Sequence, residues 1–410
     1  MSTTTSRTTQ EEQSPIDTAL GRGTPPSAGT ARVEKGEIGV CFPLAARRRP
    51  ACLPLRARLD RVTIAARAAL SETDEPRVVQ EAGKVLTGAA LIARDCHQLD
   101  RARQIITRHI ELYTGLTRPL TALEAGQVVG AATSLARTAL QADPGPDRGL
   151  ALLVRILEAT YRRATIELDS VTQAERGIQP LILPLGDVNS TPEEHRRLVA
   201  LAQAQLLVGG TTALAHVGRW AEAADLARTY GGTGKRLLEG RQVQAISRLL
   251  TRDGNVARDL IAQSDRPSDI DDDLAACLTA LCAPTAKRYD AASVMVDRYR
   301  ASRSPGDGYA YFRARYGAAV AVIARAHRHP AAAGVAVQVG REALGSGDGY
   351  AAEEVLRHVA IRATISDQHR ARLEQIVEVA GLTGKGLTGR LLNQLEDAVE
   401  LAAYAVRHDP

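Results

Sequence analysis

The chain has 410 residues and a formal net charge of +5, and Phe, Trp and Tyr together make up only 3% of it. A chain of this length buries most of its extended-state surface, so with few aromatic side chains the packing falls to Ala, Leu and Val. All-β and α/β cores need runs of Val, Ile and aromatic residues between turn signals; one short, proline-containing stretch at 178–185 is all this chain offers, so a helix-built, all-α protein is expected.

Residues 1 to about 35 are rich in Ser, Thr, Gly and Pro and lack aromatics, which predicts disorder. Residues 36–58 continue as a transition carrying Arg47-Arg48-Arg49 between prolines. Residues 1–58 are thus read as a basic tail, with nine basic and five acidic side chains. That places +4 of the net +5 in the tail and leaves +1 on the rest. Duplex-DNA binders gather Lys and Arg on a folded face, so direct contact with nucleic acid is not expected.

Helical periodicity begins with Leu59, Val62, Ala66 and Leu70 on one face. Pro76 suits the first turn of a second helix ending near Arg94. His97 to Ala102 reads as a helix-pair junction. Helices follow over 121–142 and 147–165, separated by Asp143-Pro144-Gly145-Pro146-Asp147. Residues 59–168 therefore form N-terminal helical hairpins. Residues 169–190, with Gly177, Pro180, Pro184 and Gly186, predict an irregular loop whose leucines pack back on the helices.

From residue 191 to 410 a helical array is expected. Ser190-Thr191-Pro192-Glu193-Glu194 combines a capping hydroxyl, a first-turn proline and acids facing the positive end of the helix dipole. That helix should reach His216, with a partner from Trp220 to Tyr230 stopped by Gly231-Gly232. Further helices are predicted over 234–252, 255–264, 271–283, 288–302, 308–328, 331–345, 350–363, 367–381 and 388–408. The last carries Leu391, Leu392, Leu395, Val399 and Ala402 in one stripe and reads as a terminal cap.

The turn Gly218-Arg219-Trp220-Ala221-Glu222-Ala223 returns weakly at Asp253 to Ala257 and at Lys287 to Ala292. Ala223, Ala257 and Ala292 lie 34 and 35 residues apart, the period of tetratricopeptide helix pairs. The predicted architecture is a tetratricopeptide-like α-solenoid of antiparallel helix hairpins. The Gly-Arg-Trp turn is followed by Gly234-Lys235-Arg236-Leu237-Leu238-Glu239-Gly240-Arg241-Gln242-Val243. Together they resemble uncharacterised all-helical proteins of actinobacteria. The resemblance spans residues 60–408 and implies a tetratricopeptide-like fold with no established activity.

Signals for chemistry are sparse. Gly231 to Lys235 and Gly381 to Lys385 suggest phosphate loops, but the first glycine position would be Thr229 or Val379, and Arg236 or Gly386 follows the lysine. Helix capping explains both better. Acids at 269–273 fit a helix first turn. No H-E-x-x-H or G-x-S-x-G occurs, so no catalytic residues, metal or cofactor are expected. Cys41, Cys52, Cys96, Cys277 and Cys282 lack C-x-x-C spacing and read as reduced thiols in the cytoplasm. No run of about 18 apolar residues predicts a membrane span, and no secretory signal is evident.

Binding is the stronger expectation. Arg and Tyr crowd the segment from Tyr289 to Tyr316. Tyr309, Phe312 and Tyr316 share one face and suit the core. Tyr311 and Arg315, four apart, suit ligand contact by stacking and bidentate hydrogen bonds. Arg236, Arg241 and Gln242 should line the inner groove of the array. The function expected is a non-catalytic scaffold binding a protein or peptide segment. The alternatives are a ligand-sensing regulatory protein, acting with a transcription regulator or a biosynthetic pathway, and an all-helical enzyme.

Overall fold

The computed structural model describes residues 38–39, 42–114, 116–142, 145–168, 180–302 and 306–407. Among them the protein is all-α, with seventeen α-helices and four strands of two or three residues. The helices are α1 Leu55–Ser71, α2 Glu75–Asp95, α3 Leu99–Thr114, α4 Ala122–Ala142, α5 Asp147–Arg162, α6 Pro192–His216, α7 Trp220–Thr229, α8 Glu239–Leu250 and α9 Gly254–Ala262. They continue as α10 Asp269–Leu281, α11 Arg288–Ala301, α12 Ala310–Ala326, α13 Ala332–Ser346, α14 Gly349–Arg357, α15 Val359–Arg362, α16 Asp367–Val379 and α17 Gly389–Arg407.

Local chemistry sets the ends. Thr191 accepts from the Glu194 backbone while the Glu194 carboxylate accepts from that of Thr191, a complete capping box with Pro192 in the first turn. Ser268 caps α10, Asp348 caps α14 and Ser366 caps α16. Gly231 and Gly381 take positive φ of 70° and 83°, where an L side chain would clash. The Gly232 amide then donates to Ala227 and the Leu382 amide to Val377, closing α7 and α16. Both glycine-lysine sequences therefore stop helices. Acids at 269–273 begin α10, where Asp272 and Asp273 also pair with Arg298.

Each helix from α1 to α14 packs on its successor, and α14 packs on α15 and α16. A second set of contacts skips one helix. It joins α2 to α4, α4 to α6 and α6 to α8, then α10 to α12 and α12 to α14. Ala223, Ala257 and Ala292, the alanines of the 34- and 35-residue spacing, are all fully buried, because a methyl group is what fits where two helix backbones approach.

Several expectations change. The tail was placed at residues 1–58, yet α1 begins at Leu55 and residues 42–54 are packed against the helices; residues 1–37, 40 and 41 lie outside the described residues. The 169–190 loop is partly ordered. β2 (Ile166–Leu168) pairs antiparallel with β3 (Leu181–Leu183), and β1 (Leu120–Thr121) pairs parallel with β4 (Val188–Asn189). Leu183 and Leu185 are buried as predicted, and 169–179 lie outside the described residues. The 350–363 helix breaks at His358, whose ψ of 104° is not helical.

Two differences are larger. α17 does not cap α16; it packs on α1, α2 and α3, with Leu395, Val399 and Ala402 in one cluster with Leu59, Ala66 and Leu86. An apolar stripe specifies that a face is covered and leaves open which helices cover it. Also, α6 is long and apolar enough to cross a membrane by length and composition, where the sequence predicted no such helix. Its charges crowd into the first turns. In the fold it packs on α4, α5, α7 and α8 and buries Leu198, Ala202, Leu206 and Leu214.

A glycine pair tests this packing. A Cβ at Gly240 would lie 2.0 Å from the Gly232 carbonyl oxygen, whereas a Cβ at Gly130, inside α4, meets nothing within 4 Å. Gly240→Ala should destabilise by about 1–3 kcal/mol or more through overpacking. Gly130→Ala should stabilise by about 0.5–1 kcal/mol through lower unfolded-state entropy. Urea denaturation of both variants is the check.

Candidate functional site

The site is built around the chain's own residues 42–54. This linear segment has no helix or strand and no helical period. It contains Pro43, Pro50 and Pro54, which donate no hydrogen bond. Two short turns close within it, from Arg47 to Ala45 and from Leu53 to Ala51. Most of its remaining buried polar groups must find partners on other elements.

Side chains of α8 and α12, and the backbone and side-chain groups at the starts of α12 and α14, supply them. The Leu44 amide donates to Gln242 Oε1 at 2.9 Å, and Gln242 Nε2 donates back to the Leu44 carbonyl. The glutamine amide thereby pairs with the backbone as a neighbouring strand would. Arg315 Nε donates to the Pro43 carbonyl at 3.0 Å, and its Nη2 donates to the Phe42 carbonyl. Further along, the Arg49 amide donates to Gly308 at 2.8 Å. The Cys52 amide donates to Asp348 Oδ1 at 3.0 Å, and the Cys52 carbonyl accepts from Gly349 at 2.9 Å.

Three side chains of the segment are read individually. Phe42 meets Trp220 edge-on, with ring centroids 5.4 Å apart, and joins the core containing Val243, Leu274 and Cys277. Arg47 forks onto both oxygens of Glu239 at 2.9 and 2.8 Å. Arg49 lies over the Tyr350 ring at 3.4 Å and beside Tyr311 at 5.0 Å.

One buried carboxylate organises the far wall. The Glu354 side chain is 0% exposed and accepts from Arg315 Nη1 at 3.2 Å, with His358 Nε2 at 3.3 Å and Arg357 at 3.6 Å. Burial pushes its pKa up, but the His358 hydrogen bond and the charges of Arg315 and Arg357 outweigh burial and hold it below the usual carboxylate range. Burial, then Arg315 and Arg357, lower the pKa of His216, which also meets the Phe42 backbone. His216 is accordingly neutral at pH 7.

The predicted binding residues divide. Gln242 and Arg315 grip the segment, and Tyr311 flanks it while its hydroxyl accepts from Arg315 at 3.1 Å. Their ligand is the chain itself. Arg241 is displaced from the expected groove: its guanidinium bonds the Leu260 carbonyl and Ser264, tying α8 to α9. Arg236 is exposed and bridges to Asp265 through its backbone. Glu239, Asp348 and Glu354 were not singled out from the sequence. Proline-flanked arginines at 47–49 were the available signal, because a proline-rich stretch favours a non-helical path.

Arg315→Met should cost about 3–5 kcal/mol, because Glu354 would keep its charge in a buried site without the guanidinium that pairs with it. Glu354→Gln in the same background should recover part of that loss. Since Glu354 has a depressed folded-state pKa, its contribution is full above about 4.5, its unperturbed value, and is lost as the pH falls through the folded value. Denaturation midpoints between pH 3 and 7 should therefore fall less steeply for Glu354→Gln than for the parent. No protein-family model matches this chain, and comparison with curated proteins and with solved structures returns no match, so the geometry around the segment carries the functional reading.

Proposed function

We propose that the helices form a tetratricopeptide-like α-solenoid of antiparallel hairpins that serves as a non-catalytic scaffold, holding a linear peptide or protein segment against its even-numbered inner helices. The observation that supports this is the grip on residues 42–52. Gln242, Arg315 and Asp348 bind backbone groups, a mode indifferent to side-chain identity. Trp220 with its apolar neighbours, and Glu239, supply an aromatic slot and an acidic contact that select. Main-chain bonds giving affinity and pockets giving choice is how linear peptides are recognised. The preferred partner on this reading carries an aromatic residue and, a few residues on, an arginine. It works in the cytoplasm, with nucleic acid met only through a partner protein.

A labelled peptide of residues 38–54 tests the reading by fluorescence anisotropy. The full-length Phe42→Ala/Leu44→Ala chain, with its internal segment weakened, should bind the peptide at least tenfold more tightly than the parent chain. Adding Gln242→Leu should abolish that gain. Binding no better than that of a scrambled peptide, by a chain whose circular dichroism shows it folded, would dismiss the proposal.

A further inference from the structure

The linear segment is held at two places and open between them. Leu44 and Cys52 are buried, whereas Arg47, Arg48, Pro50 and Ala51 are exposed and Ala45, Ala46 and Arg49 are half-buried. The contacts on either side of the open stretch go to different partners. On the upstream side Phe42 meets Trp220, Arg315 holds the Phe42 and Pro43 carbonyls, Gln242 pairs with Leu44, and Glu239 takes Arg47. On the downstream side the Arg49 amide donates to Gly308, its guanidinium lies over Tyr350, and Cys52 is tied to Asp348 and Gly349. The peptide bond between Arg48 and Arg49 lies on the boundary of the two sets.

That boundary has the chemistry of a cleavage site. An endopeptidase draws the residues around the scissile bond into an extended path, so it favours exposed stretches outside helices and strands. Residues 45–48 before the bond and 49–51 after it form such a stretch. Enzymes of trypsin-like specificity take a basic side chain on the acyl side of the bond and do not cut before proline. Arg47 is forked onto Glu239, and Pro50 follows Arg49. Arg48 is the arginine left available, its side chain resting on an exposed backbone oxygen, that of Asp307, at 3.3 Å.

We propose that the Arg48–Arg49 bond is a processing site for an endopeptidase selective for basic residues, and that cutting it frees the upstream contacts. Water adds to the Arg48 carbonyl carbon, the C–N bond breaks, and a proton goes to the departing nitrogen, leaving a carboxylate on Arg48 and an ammonium on Arg49. Residues 49–54 stay joined to α1 and keep Tyr350, Asp348 and Gly349. Residues up to Arg48 lose the covalent link that kept them at high effective concentration, so on dilution they leave. Trp220, Gln242, Glu239 and Arg315 are then open to another chain. That last consequence rests on the scaffold reading; the processing site does not. It gives the regulatory alternative a physical basis, because the inner contacts stay occupied until the bond is cut.

Limited digestion of the full chain with trypsin, followed by intact-mass spectrometry, tests the site. Beyond Ile38 the first cut should fall after Arg48, giving a product that begins at Arg49. The exposed pair Lys235-Arg236 should survive longer, because the Asp265 amide donates to the Lys235 carbonyl and the Leu238 amide to that of Arg236. Arg48→Gln should slow cutting of the segment at least tenfold, since Arg47 is held by Glu239. Arg48→Pro, which also bars a cut after Arg47, should slow it further. Size-exclusion chromatography of the inhibited digest should separate the fragment ending at Arg48 from the helices. The cut chain should then bind the labelled 38–54 peptide at least tenfold more tightly than the uncut chain. A first cut elsewhere beyond Ile38, unchanged rates in both variants, or a fragment that stays with the helices would each overturn the proposal. Cutting and release without a gain in peptide binding would uphold the processing site and count against the scaffold reading.

Discussion

Arg315 is the residue on which the packing of residues 42–54 against the helices depends. From one position on α12 its guanidinium reaches Glu354 on α14, the Tyr311 hydroxyl one turn away, and the carbonyls of Phe42 and Pro43 on the linear segment. A buried guanidinium is costly unless its donors are satisfied. Here the donors meet two backbone carbonyls, the Tyr311 hydroxyl and the Glu354 carboxylate, which is itself braced by His358 and Arg357. Such a network is worth more than its separate pairs, because each bond polarises the next in a medium with little water. It also couples α12 and α14 to a segment that would otherwise have no reason to stay.

That segment explains a feature common to the site residues. Residues 42–54 cannot satisfy their backbone by forming a helix or sheet, so the helices satisfy it with side chains. Gln242 offers a donor and an acceptor in the geometry of a peptide group. Asp348 caps α14 and, with the same carboxylate oxygen, holds the Cys52 amide. Groups that ordinarily finish a helix are reused to hold a chain crossing it. The consequence is that the helices meet this segment mainly at its main-chain atoms, with side-chain contacts at Phe42, Arg47 and Arg49.

How much of this could be read from the residues follows from the range of the forces involved. Helix ends rest on contacts within four or five residues, so Thr191 with Glu194, Ser268 with Asp271, and the stops at Gly231 and Gly381 were legible. Ala223, Ala257 and Ala292 stood out by their 34- and 35-residue spacing, and all three are buried. Gln242, Tyr311 and Arg315 stood out by residue type, but their partner did not. Leu44 and Gln242 are 198 residues apart, Phe42 and Arg315 are 273 apart, and Cys52 and Asp348 are 296 apart. No local pattern encodes such pairings, and Arg241, the neighbour of Gln242 on the same helix, looked equally suited while facing Ser264 instead. The order and length of the helices were thus determined by the sequence through short-range hydrogen bonds and apolar period. Which polar side chains face residues 42–54, and that the chain itself is their partner, was decided only when tertiary packing brought distant backbone groups out of water and required each of them to find a partner.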